Sequence, residues 1–210
     1  MTAHARKVRK ARHRLSKVAN ARDTIEGFGP GIDIVGLTYG QFSLLDLIEA
    51  ALEVIGPADV TISTWSAGFY DVEAAVRFRD NGLLRSCRFL MDSSAKRGQA
   101  TPGDVADLFG PDAVRTSRSH AKFVLIRNED WAVVITSSMN LNLNPRLEQF
   151  EMTDDVDRYD FFDAFVQSVW TDLPEGWVND RRLPPANNVE HVEPELGVEI
   201  GKVGVGKWTN

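Results

Sequence analysis

His120 and Lys122 stand two residues apart, and Ser138 and Asn140 stand two apart a short way downstream. Between the pairs lie two apolar runs, residues 122–126 (KFVLI) and 131–137 (WAVVITS), separated by the turn-like Arg127-Asn128-Glu129-Asp130. Such runs predict a hairpin of two strands. Alternate side chains of a strand share a face, so the spacing predicts imidazole beside ammonium and hydroxyl beside carboxamide. The hairpin would bring all four groups to one end of two adjacent strands. That set suits a phosphodiester. Lys122 supplies a point charge, Ser138 and Asn140 supply hydrogen bonds to non-bridging oxygens, and a neutral His120 can attack phosphorus. This chemistry calls for no metal and no cofactor. Glu151 could orient the far ring nitrogen of His120 if the chain folds back. A lone histidine on a strand is more often an ordinary polar residue, and here the spacing of its partners is what favours a phosphate site.

The elements that must position these groups alternate. Residues 33–39 (DIVGLTY) read as a strand, and 42–55 (FSLLDLIEAALEVI) as a helix with apolar positions at Leu44, Leu45, Ile48, Leu52 and Ile55, ended by Gly56-Pro57. A strand at 60–65, a helix at 72–80, a strand at 87–92, a loop at 93–104, a short helix at 105–109 and a strand at 113–118 follow. An amphipathic helix at 158–170 closes the series. The pattern predicts one α/β domain, a mixed sheet flanked by helices.

Taken together, HxK, an apolar strand, a hairpin, SSxN at residues 137–140 and a glutamate eleven positions after Asn140 resemble the signature of the phospholipase D superfamily. The lead-in VTISTWSAGFYDVEAAVRFRDNGLLRSCRFLMD is similar to that family's strand-helix-strand segment, so the resemblance spans roughly residues 33–155. Its nearest flavour is the small bacterial endonucleases with one motif per chain. The resemblance implies that His120 is the nucleophile that forms a phosphohistidine, that Lys122, Asn140 and Ser138 hold the phosphate, and that Glu151 hydrogen-bonds the histidine. It also implies a homodimer with a composite site, in which one His120 attacks and the other protonates the leaving oxygen. Two positions depart from the pattern: the family aspartate is Arg127 here, and the glycine before Ser138 is Ser137. Asp130 could supply the missing carboxylate from a shifted place.

Around the motif, the resemblance implies that Trp65 and Ser66 line the substrate cleft, with Trp65 either stacking on a base or packing in the core, and Arg118 either draws in an anion or is ordinary surface. Asp92, Lys96 and Arg97 open a loop that could border it.

The net charge of −6 hides an asymmetry. Residues 1–22 hold eight Lys or Arg and no acid, leaving −14 on the remainder. Arg6, Lys7, Arg9, Lys10, Arg12 and Arg14 are therefore candidate contacts to nucleic acid, in an arm or helix spanning 1–28, or else a solvated tail. The domain is expected over 29–172 and a Pro/Gly-rich tail over 173–210. The single cysteine, Cys87, lies in an apolar run and reads as a buried thiol, which excludes an intrachain disulfide and suits a reducing compartment. No run approaches the ~20 apolar residues of a membrane span and the amino terminus lacks a secretory core, so a cytoplasmic protein is expected. The functions that compete are a nuclease-type phosphodiesterase, a binding or assembly module that has lost turnover, and a phospholipid hydrolase or transferase. The lack of a lipid anchor argues against the last.

Overall fold

The computed structural model describes residues 9–16, 20–65, 67, 69–93, 100–143 and 145–176. Its frame is one mixed sheet of eight strands: β1 (Lys10–Leu15), β2 (Ile32–Thr38), β3 (Ala58–Thr64), β4 (Leu84–Asp92), β5 (Val114–Ser117), β6 (Phe123–Arg127), β7 (Ala132–Ser137) and β8 (Glu148–Thr153). Their order across the sheet is β1-β2-β8-β7-β6-β3-β4-β5. The β3-β4-β5 block is parallel, β1 is parallel to β2, and the other neighbours are antiparallel.

Two layers of helix cover the sheet. On one face α2 (Leu44–Ile55), α3 (Phe69–Asp80) and α4 (Pro102–Phe109) contribute to the larger core, which includes Leu52, Phe78, Val105, Ile62, Phe89, Val124 and Ile135. On the other, α5 (Val156–Asp172) packs Tyr159 and Val166 on Phe123, Leu125, Ala132 and Val134. The alternation along β6 assigns Phe123 and Leu125 to one core and Val124 and Ile126 to the other, as a strand period of two requires. Helix starts follow local chemistry. Ser43 and Asp46 form a reciprocal capping box on α2, Thr101 and Asp104 do the same on α4, and Asp155 caps α5. Gly36 pairs with Phe150, and a Cβ at residue 36 would meet that ring at 2.2 Å, so only glycine lets the aromatic lie across β2.

The expected strands, the helices and the hairpin are present with ends shifted by a few residues. Two strands were not expected. The basic stretch does not form an arm ending at residue 28: residues 10–15 are the edge strand β1, followed by the short helix α1 (Ala21–Thr24). Most of β1 is exposed, so it carries no apolar alternation to betray it, and its pairing with β2 is decided by backbone hydrogen bonds. The other is β8, whose Phe150 and Met152 are fully buried between polar neighbours. Leu173 and Gly176 still belong to the described chain, and the Gly176 amide donates to the carbonyls of Pro111 and Val114. Arg6, Lys7, Ser66, Lys96, Arg97 and the chain from 177 onward lie outside the described residues. Cys87 is buried as expected, and burial pushes its thiol far up from the usual range. Among the described residues no helix is long and apolar enough to cross a membrane.

Candidate active site

The motif does not start a strand as its spacing predicts. Residues 118–122 form an irregular segment between β5 and β6, and β6 begins only at Phe123. Three contacts pin the segment. The Ser119 amide donates to the Asp92 carboxylate at 3.0 Å, the buried Ser63 hydroxyl donates to the Ala121 carbonyl at 2.9 Å, and the Ala121 amide donates to the Ser119 hydroxyl at 3.3 Å. Asp92 ends β4 and Ser63 lies in β3, so the parallel half of the sheet holds the loop in which the histidine sits. Ser63 carries no motif signal. Only the register of β3 against β6 puts it there.

His120 is exposed and Lys122 is half-buried. They do share a side: the Lys122 ammonium lies 3.4 Å from Nδ1 and 3.5 Å from Nε2 of the imidazole and donates to the His120 carbonyl at 3.2 Å. Burial lowers the Lys122 pKa, and the negative charge of Glu148 works against that shift. The Trp65 and His120 rings lie 5.6 Å apart between centroids, tilted by 48°. Trp65, Asp92, Arg118, Ser119 and His120 line an open cleft of about 360 Å³. The structure brings Trp65, Arg118 and Asp92 together with His120 in one lining.

The second pair arrives from β7. The Ser137 amide donates to the Lys122 carbonyl at 3.1 Å, so the residues after β7 begin at the same sheet end as the histidine loop. Ser138, however, turns its hydroxyl to the Glu148 carboxylate and accepts a 3.0 Å bond from the Gln149 amide. Asn140 is half-buried beside Phe42, Ser43, Met139, Asn142 and Glu148, in a crevice with no room for a water, and its Oδ1 is buried without a hydrogen-bond partner. Its backbone carbonyl accepts from the Leu44 amide at the start of α2.

Two expectations about carboxylates are corrected. Glu151 does not orient His120. It pairs with Thr136 in register, on the sheet face that α5 covers, and is bound by the Arg158 guanidinium at 3.0 Å. The period of two that joins Glu148 to the site on one face turns Glu151 to the other. Asp130 cannot replace the missing aspartate at the histidine. It lies in the β6–β7 turn, where its amide donates to Asn128 Oδ1, beyond the far end of β6 and roughly 13 Å or more from the motif. Arg127 ends the same strand with its guanidinium 5.3 Å from the centre of the Tyr159 ring. The carboxylate that meets Ser138 is Glu148, which belongs to no motif spacing. The one signal that could have found it is its alternation with Phe150 and Met152.

The arginines in and just before β1 have structural partners. Arg9 is bound by Asp33 at 2.8 Å and by Asp154, with Asp155 at 3.9 Å, and its side chain is only 17% exposed. Arg12 and Arg14 both donate to the Glu26 carbonyl, at 3.4 and 3.2 Å. Lys10 is exposed.

No known family matches the chain by sequence, and no curated protein does. In fold the chain is similar to several solved structures. One is Nuc from Salmonella typhimurium, described as a phospholipase D family member, at 15% identity over 68% of this chain and 96% of that one, with a TM-score of 0.46. NucT from Helicobacter pylori is similar at 17% identity over 68% and 99%, with a TM-score of 0.48. Polyphosphate kinase from Porphyromonas gingivalis is similar at 13% identity over 63% of this chain and 25% of the kinase, with a TM-score of 0.45.

Proposed function

We propose that this chain is a metal-independent phosphodiesterase of the phospholipase D-like nuclease type, cleaving nucleic-acid phosphodiesters through a phosphohistidine on His120. The observation that carries this reading is the pairing of an exposed imidazole with a half-buried ammonium 3.4 Å away, at the edge of an open cleft. A ring nitrogen of His120 would attack phosphorus as the bond to the leaving oxygen breaks, with Lys122 holding a non-bridging oxygen. In a homodimer the partner subunit's His120 would give the leaving oxygen its proton. Water would then attack the phosphohistidine, lose a proton to that same partner imidazole, and release His120 and the phosphomonoester. The Trp65 ring, next to the histidine, would stack on a base, and Arg118 would meet a neighbouring phosphate.

A second reading is a module that binds without turnover, and one observation favours it: Glu151 is held by Arg158 on the opposite face of the sheet from the site. The two readings separate on cleavage of plasmid DNA, single-stranded DNA and bis(p-nitrophenyl) phosphate with chelator present, wild type against His120→Ala. Cleavage that survives chelation and disappears in the variant is the expected result. Folded, dimeric wild type that cleaves none of the three would overturn the phosphodiesterase reading in favour of the binding module.

A further inference from the structure

Ser138 has one hydroxyl proton, and the structure shows where it goes. It is donated to the Glu148 carboxylate, while the hydroxyl oxygen accepts from the Gln149 amide. A phosphate cannot receive that proton until Glu148 lets go of it. Glu148 also faces Asn140 across a crevice too tight for a water, and its charge is felt at the Lys122 ammonium. A carboxylate thus already sits among the groups that a phosphate oxygen would need. The cleft beside it is balanced in the same way, with Arg118 and Asp92 both in its lining. Two cations and two carboxylates leave the site near neutrality when His120 is uncharged.

We infer that Glu148 is an internal anion that competes with bound phosphate for Ser138 and Lys122, and so determines specificity for singly charged phosphodiesters over doubly charged phosphomonoesters and inorganic phosphate. The inference rests on the phosphodiesterase reading and deepens it. Coulomb repulsion from one fixed carboxylate acts about twice as strongly on a dianion as on a monoanion at the same place. A diester has an ester oxygen where a monoester carries its second charge, so it meets Glu148 at lower cost. After hydrolysis the product gains that charge, and the same repulsion drives it out. Glu148 acts here on affinity and release. It takes no part in bond making.

The test uses the full chain and two probes, inorganic phosphate and dimethyl phosphate, titrated by calorimetry at pH 8 into wild type, Glu148→Gln and Glu148→Ala. Glu129→Gln, in the turn at the far end of β6, controls for overall charge. Both Glu148 variants are expected to bind inorganic phosphate on the order of tenfold more tightly than wild type, with a smaller gain for dimethyl phosphate. Glu129→Gln is expected to match wild type. Because Glu148 is only half-buried, Glu148→Ala answers the same question should Glu148→Gln fold poorly. Phosphate affinity unchanged or weakened in the variants would overturn the inference and leave the phosphodiesterase reading standing. Binding of neither probe by any folded form would sink both.

Discussion

Two cationic stretches, residues 9–14 and 118–122, are held in opposite ways. In and just before β1 the arginines close structural contacts: Arg9 is clamped by Asp33 and Asp154, and Arg12 and Arg14 turn to the Glu26 carbonyl. Between β5 and β6 the cations are fewer but face a cleft, with Lys122 against His120 and Arg118 in the lining. The denser run of charge in the sequence is thus the one more committed to the fold. Density of charge reports neither availability nor role, because a guanidinium close to two carboxylates and a backbone carbonyl gains more from them than from solvent.

The comparison is broken most decisively at His120. Its replacement by alanine is expected to reduce phosphodiester cleavage on the order of 10³-fold or more while leaving the urea midpoint unchanged, since the ring is exposed. Loss of stability with retained cleavage would place it on the structural side with Arg9. Lys122→Met follows, with an expected loss of about 10²-fold in cleavage. Its stability should move the other way. Burial lowers the Lys122 pKa from 10.5, so the folded state holds its proton less firmly than the unfolded chain does. Carrying the charge therefore costs stability below the folded pKa, and that cost fades as pH rises through the window ending at 10.5. Wild type should gain on Lys122→Met in urea melts as pH climbs toward 10. A constant difference would remove the burial argument.

Arg9→Ala should sharpen the contrast from the other side. Leaving Asp33 and Asp154 without their cation is expected to cost about 1–3 kcal/mol in urea denaturation, with cleavage intact. Exposed Lys10→Ala should cost under about 0.5 kcal/mol. The smallest effect concerns nucleic acid. If β1 grips a backbone at all, Lys10→Ala should lower the salt slope of binding by about one, while Arg9→Ala leaves it alone. A slope reduced by Arg9→Ala would mean that its ion pairs open on binding.

Elements were legible wherever they bury a periodic face. Residues 42–55 announce α2 through five apolar positions and the Gly56-Pro57 stop, and residues 122–137 announce the hairpin through β-branched runs around Asn128, whose side chain accepts from the Asp130 and Trp131 amides. β1 was not legible because an edge strand exposed along most of its length has no apolar period to read. The expected pairing of Glu151 with His120 failed for a different reason. A spacing of eleven residues says how far the chain travels, and the register of β8 against β7 says which face a side chain meets.

By itself the sequence determined the α/β alternation, the hairpin over residues 122–137 and the two-residue spacing of His120 and Lys122, since these follow from local periodicity and a single turn. Only the tertiary structure decided that Trp65 lies beside His120, that Glu148 meets Ser138, and which arginines are occupied. Glu148 and Glu151 are three residues apart on a strand of period two, so they face opposite sides of the sheet, and only the packing of β8 between β2 and β7 selects which of them meets Ser138.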